Sequence, residues 1–368
     1  MTFEGNPAEA KTYARLKLAT GVAASVVLFL FLLVVTASGW SSDLEQWARS
    51  MHPNPYVALL IFAASLWAVQ TFVMAPFTFF AGFVLEHRFH LSNRSLAGWI
   101  WDHIKGMLVT LPIAGALGIA AYMCLEQFGN DWWLPVGALL TLTSVIMAGV
   151  APVVIFPLFY TFSPLAEGAL RQRIADLCAR ARLRFDGIFT FDLSKTTRKA
   201  NAGFAGIGRS KRILLGDTLV RQFNDDEIET VVAHELGHYV HRHILVGLFV
   251  GAASSFLGLF IASRAYVWSL SWFGFLSITG FAALPLLALW LAAFGLVTTP
   301  LGNMLSRHHE RQADAYAVSM SGRPDAFASA LRKLGTTNLA DPSPHPLIEF
   351  LFYSHPSLTR RLRAVEGP

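Results

Sequence analysis

Apolar residues in this chain gather into long unbroken runs, separated by short polar stretches and one long polar interval. The runs are roughly Leu18–Trp40, Val57–Val84, Gly106–Leu125, Trp132–Tyr160, Ile244–Ser263 and Phe273–Met304, and none contains Asp, Glu, Lys or Arg. Each reaches the length of about twenty residues that a helix needs to cross a bilayer. The pattern predicts six membrane helices, or seven if the last run is divided by a kink at Pro285. The first run is longer than the core of a cleaved leader, so it reads as an anchor even though the small Ala37-Ser38-Gly39 lies near its end.

The polar interval has a different rhythm. Ser163–Arg184 carries Leu165, Leu170, Ile174 and Leu177 at helical spacing, with Pro164 near its start. Ile188–Leu193, Ala202–Ile207 and Arg212–Leu215 read as short strands around Gly-bearing turns. Asn224-Asp225-Asp226-Glu227 has the form of a capping box and opens a helix through Ile228, Val231 and Val232. Beyond Met304, Ser306–Val318 reads as a helix, and Pro324–Leu334 as another that Gly335 ends. The expected fold is mainly α: a polytopic transmembrane bundle with a polar domain carrying a small β-sheet. Residues 1–160 hold about four spans, 161–243 the main polar domain, 244–304 a membrane hairpin and 305–368 the rest of the polar domain.

Composition agrees with a membrane protein. The chain is 54% hydrophobic and only 14% charged, against about 25% charged in soluble domains. Six crossings place both termini on one face. That face holds Lys11, Arg15, Lys17, Arg88 and Arg94, whereas Arg49 and Arg264 lie opposite. The bias makes the first face cytoplasmic. The net charge of +5 is then read as topology, and Arg180, Arg182 and Arg184 as a solvated or lipid-headgroup face, with no nucleic acid as partner. Arg outnumbers Lys, which points to a bacterial inner membrane over an endoplasmic reticulum. Cys124 and Cys178 form no metal or redox motif and are expected to stay unpaired.

The chemistry centres on His234-Glu235-Leu236-Gly237-His238. Two imidazoles four residues apart share one helix face and can reach one zinc ion, one per chain. Glu235 between them can touch a water bound there and act as general base. Catalytic zinc needs a third ligand. The metzincin positions for a Gly and a third His hold His241 and Ile244, so that arrangement fails. Glu310 on a later helix supplies a carboxylate, with Asp314 one turn on to accept a hydrogen bond from a ligand histidine's far nitrogen. His241, His243, His308 and His309 compete as ligands; His241, two turns from His234, is the real alternative, while His308 and His309 read as polar neighbours. A metal transporter would need ionisable groups inside its spans, and these have none.

These residues resemble the CAAX prenyl protease 1 family of integral-membrane zinc metallopeptidases, over about Phe83 to Arg363. The landmarks are Phe83-Val84-Leu85-Glu86-His87-Arg88-Phe89, Phe156-Pro157-Leu158-Phe159, Asn201-Ala202-Gly203-Phe204, Arg212-Ile213-Leu214-Leu215 with Asp217-Thr218-Leu219, the His-Glu-Leu-Gly-His run, Ser306-Arg307 with Glu310, Ala313 and Asp314, and Ser354-His355-Pro356. The resemblance implies a gluzincin-type endopeptidase with Glu310 as third ligand, and a helix bundle around a large water-filled chamber closed by the zinc domain. It implies that Asn201 holds substrate backbone and that His355 and Arg361 line the cleft, His355 stabilising the oxyanion. Read without it, Asn201 is equally a turn residue and Arg361 equally a surface charge. Familiar members usually carry another N-terminal span and longer insertions near the motif; this chain is more compact. The implied partners are the bilayer and a peptide or protein substrate, lipidated in the C-terminal processing that the family performs. The rival enzymatic reading is a quality-control protease for damaged membrane proteins, like the HtpX group.

Overall fold

Each apolar run folds as a long helix, because a chain that has left water can satisfy its backbone polar groups only within itself. The computed structural model describes residues 6–183, 185–206 and 211–367. Among them six helices are long and apolar enough to cross a membrane. α1 (Pro7–Ala37) is followed by the short amphipathic α2 (Trp40–Met51). α3 (Pro55–Phe79) passes through a π-turn at Phe80–Val84 into α4 (Leu85–Arg88). α5 (Leu96–Phe128) and α6 (Trp133–Val150) complete the N-terminal bundle. The helices start ahead of the apolar runs where side chains cap them: Asn6, Asn54 and Ser95 each accept backbone N–H groups of the first turn. So α1 begins at Pro7 and α5 at Leu96, each roughly ten residues before its apolar run.

The polar domain opens with β1 (Phe162–Pro164), then α7 (Ala169–Arg180), β2 (Gly187–Phe191), β3 (Ala202–Ala205) and β4 (Arg212–Gly216). The sheet order is β1-β2-β4-β3, with β2 and β4 parallel and the two outer pairs antiparallel. The expected helix over Ser163–Arg184 is therefore corrected at its start. Pro164 pairs with Phe189 on the edge strand β1, where a missing N–H is tolerated, and helix begins only at Ala169. Arg184 and Ile207, the ends of two expected elements, lie outside the described residues.

α8 (Asp217–Gln222) and α9 (Asp225–Val240) lead to the membrane hairpin of α10 (His243–Ser269) and α11 (Leu284–Ser321). Pro285 lies in the first turn of α11 and not at a kink; there its absent N–H costs no hydrogen bond. The last apolar run is thus one span. The helix expected from Ser306 is the far end of that same α11, which continues past Pro300 to Ser321. α12 (Pro324–Thr337), α13 (Pro346–Phe352) and α14 (Leu358–Glu366) follow. Gly335 lies inside α12 and does not end it; Leu339, with φ 49°, turns the chain two residues after the helix.

One apolar core joins the polar domain. Ile174 and Leu177 of α7, Ile213 and Leu215 of β4, Ile228, Val232 and Leu236 of α9, and Phe327 and Leu331 of α12 are buried together. This fixes the back of α9 and leaves its other face for α11. A second contact ties the domain to the bundle. Glu86 Oε1 accepts from the Tyr13 hydroxyl (2.6 Å) and Lys17 Nζ (3.1 Å), and Lys199 Nζ lies 2.7 Å from Glu86 Oε2. The start of α1, the end of α4 and the approach to β3 thus share one face of the molecule, while Arg264 pairs with Asp131 at the opposite end of the bundle.

Candidate metal centre

α9 is set by its cap. Asn224 Oδ1 accepts from the Glu227 N–H and Glu227 Oε2 from the Asn224 N–H, both at 2.9 Å. Glu227 also accepts from Ser329 Oγ (2.7 Å) and Lys333 Nζ (2.8 Å), which fastens the start of α9 to α12. With its back face in the core, α9 turns His234, Glu235 and His238 towards α11.

There the side chains converge. His234 Nε2 and His238 Nε2 are 3.2 Å apart, His238 Nε2 is 3.2 Å from Glu310 Oε1, and His234 Nε2 is 3.6 Å from Glu310 Oε2. Among the described residues these three form the one His/Cys/Asp/Glu cluster able to hold a metal ion. Tetrahedral zinc with bonds of 2.0–2.1 Å sets its ligands roughly 3.3 Å apart, so the spacing fits. Glu310 Oε2 is also buried with no hydrogen-bond partner, a cost that a bound cation removes. His241 does not join the cluster. α9 ends at Val240, and the exposed His241 ring is turned to His243 and Tyr316. His308 is exposed.

The remaining expected residues surround the triad. Asp314 Oδ1 lies 2.9 Å from His234 Nδ1. Arg361 binds that same carboxylate twice, Nε to Oδ2 at 2.9 Å and Nη2 to Oδ1 at 2.6 Å, and holds Nη1 3.7 Å from Glu310 Oε2. His355 places Nε2 3.4 Å from Glu310 Oε1, while Nδ1 meets Ser354 Oγ at 2.9 Å. A cavity of about 390 Å³ opens over the cluster, lined among others by Asn201, His234, Glu235, Glu310, His355 and Arg361. Asn201 uses its carbonyl to accept from the Gly216 N–H (2.9 Å), and β3 continues from it along the sheet edge.

The environment sets protonation. Burial pushes the Glu235 carboxyl above its ordinary value, and the Glu310 charge adds to this against the two imidazoles. Partial desolvation at the cavity lowers His355, helped by the Arg361 cation. Arg361, which burial would lower, is held up by Asp314. Sequence reasoning missed Arg307. One turn before Glu310 on α11, it donates Nη1 to the carbonyls of Glu349 (2.9 Å) and Tyr353 (2.5 Å), anchoring the segment that presents His355. Its place in the Ser306-Arg307 landmark was the available signal.

Residues 164–368 match the family model of peptidase family M48, and residues 6–161 match that of the CAAX prenyl protease N-terminal region with its five membrane helices. This chain belongs to peptidase family M48. The chain is accordingly an integral-membrane metalloendopeptidase, and the non-enzymatic transporter reading is set aside. It is 32% identical to the CAAX prenyl protease 1 of Saccharomyces cerevisiae over 325 residues, covering 83% of this chain and 72% of the yeast protein. It is 29% identical to a Bacillus subtilis protein described as the uncharacterized metalloprotease YhfN, over 94% of this chain and 81% of that one. The crystal structure of S. mikatae Ste24p superposes with a TM-score of 0.87 at 28% identity, over 97% of this chain and 88% of that one. Where the family model describes five membrane helices, this M48 peptidase has four candidate spans among the described residues up to Leu158, plus the short α2.

Proposed function

We propose that this M48 peptidase is a one-zinc endopeptidase that trims lipidated peptides, prenylated or similar, at the cytoplasmic face of its membrane. One observation carries the reading. Glu310 stands on the helix that crosses the bilayer, six residues past Met304, where its apolar run ends, or roughly 9 Å at 1.5 Å per residue. A site at that depth suits a substrate whose lipid stays in the membrane. The name of the yeast relative supports the same substrate class.

His234, His238 and Glu310 hold the zinc. When bound, it supplies Lewis acidity to the scissile carbonyl and to water. Glu235 takes the proton of the attacking water and passes it to the leaving nitrogen. His355, whose Nε2 lies 3.4 Å from Glu310 Oε1 at the cavity, donates to the developing oxyanion. Asn201 and the outer strand β3 hold substrate backbone in extended form. Arg361 keeps Asp314 in place behind His234 and closes the cavity wall.

The basic residues in the first turns of α1 and in the segment leading to α5 support a cytoplasmic catalytic side. The abundance of Arg and the Bacillus subtilis relative support a bacterial inner membrane. That placement favours a second reading, quality control of membrane proteins. The test is to digest a panel of lipidated and plain peptides with the purified enzyme and map the cuts. The proposal expects cleavage near the lipidated C-terminus. Equal cutting of plain internal segments sinks it in favour of quality control, which a comparison of protein fragments in active and Glu235→Gln cells then tests.

A further inference from the structure

His238 is tied outward to a chain of side chains that the mechanism does not use. Its Nδ1 lies 3.0 Å from His243 Nδ1, and His243 Nε2 lies 2.9 Å from Gln312 Oε1. Arg242, at φ 58°, turns the backbone sharply between α9 and α10 and brings His243 back against His238. The His243 ring is buried and stacked on His309, centroids 3.9 Å apart and planes within 10°. Gln312 is two residues past Glu310 on α11. One helix therefore supplies both the third ligand and the end of the chain.

The proton positions follow from the contacts. His238 Nε2 faces Glu310 and His234 and must offer a lone pair to bind a cation. Its proton is then on Nδ1, which donates to His243 Nδ1. That leaves the His243 proton on Nε2, which donates to the Gln312 carbonyl oxygen. Every contact is satisfied in one direction. The reverse direction puts a hydrogen on His238 Nε2, aimed at the metal.

We infer that His243 and Gln312 are positioning residues that fix the tautomer and ring orientation of His238, and through it the zinc affinity. The inference rests on the zinc reading of His234, His238 and Glu310. The two ligand histidines are then supported in different ways. His234 leans on the Asp314 carboxylate, which Arg361 neutralises. His238 leans on an uncharged chain ending in an amide, so it gains direction without a further negative charge at the site.

The test strips zinc from the purified full-length protein in detergent and returns it in competition with a chromophoric chelator. Gln312→Met keeps the length of the side chain and removes the acceptor; His243→Phe keeps a ring for His309 and removes the acceptor. Each is expected to weaken zinc binding roughly 10- to 100-fold, with the thermal midpoint of the zinc-free protein unchanged. Because the two act in series, the double variant loses no more than His243→Phe alone. Wild-type zinc affinity in Gln312→Met, additive losses, or a loss matched by a lower zinc-free midpoint overturns the inference. If His243→Phe does not fold, the half-buried Gln312 position carries the test alone. Wild-type protein that takes up no zinc removes the zinc reading as well, whereas wild-type binding with an unaffected Gln312→Met removes the positioning chain only.

Discussion

Gly237 and Ala313 meet where α9 packs on α11, so closely that a Cβ added to Gly237 would sit 2.9 Å from the Ala313 Cα. The second obstacle is the Tyr316 Cβ at 3.1 Å. Gly237 lies between the two histidines of α9, and Ala313 between Glu310 and Asp314 of α11. This contact sets the gap across which the carboxylate reaches the imidazoles. Gly237→Ala therefore forces the helices apart, at a cost of about 1–3 kcal/mol. The expected outcome is weaker zinc binding together with a lower thermal midpoint, read by chelator competition and thermal unfolding. Unchanged zinc affinity contradicts this account of the contact.

Glu235 is half-buried at the cavity, beside both imidazoles, with its carboxyl raised by burial. Glu235→Gln keeps shape and zinc but removes the proton acceptor. Peptide hydrolysis should fall roughly 10²- to 10⁴-fold with zinc content intact. A fully active variant refutes the assignment.

His234→Ala, His238→Ala and Glu310→Ala each remove one corner of the cluster. Metal analysis of the purified proteins should show zinc lost or greatly reduced in all three. His241→Ala should retain it, since His241 lies beyond the helix end and outside the cluster. Loss of zinc in His241→Ala with retention in Glu310→Ala would reverse the third-ligand assignment.

His355 borders Glu310 from the cavity side. As the oxyanion donor it contributes in the transition state, so His355→Ala should lower kcat roughly 10²- to 10³-fold and leave zinc bound. A variant with altered KM and unchanged kcat makes His355 a substrate-binding residue instead.

Glu227 gives a pH dependence of stability. Burial alone would raise its carboxyl, but Lys333, Ser329 and the Asn224 backbone outweigh it and hold the carboxyl below its ordinary value. A depressed carboxylate stabilises the fold above its unfolded value, about 4.3, and the gain is lost as pH falls through the lower folded value. Glu227→Gln should thus cost about 1–2 kcal/mol at pH 7, with the deficit fading on acidification below about pH 4. Thermal midpoints of both proteins across pH check it; a constant deficit assigns the effect to shape and not to charge.

Where a signal is local, the sequence carried it in readable form. The apolar runs, the Asn224–Glu227 cap and the His234–His238 spacing are each set by helix geometry over a few residues. β1 was missed because three residues with a Pro give no alternating pattern, and pairing with β2 is what makes them a strand. α11 was divided in expectation because its hydropathy changes at Met304, although helical hydrogen bonds are indifferent to whether lipid or water lies outside. Arg307 gave no sign of its targets, which are carbonyls more than forty residues away in sequence.

The order of residues alone thus determined a membrane bundle, a metal-binding helix and a shortlist of third ligands, because period and spacing act within one helix. Only the packing of α11 on α9 brings Glu310, and not the competing histidines, into one cluster with His234 and His238. It also joined His238 to His243 and Gln312, and Asp314 to Arg361. Such pairings rest on how closely two helices approach. That distance is set by side-chain volume at Gly237 and Ala313 and by the core behind α9, which a linear pattern does not encode.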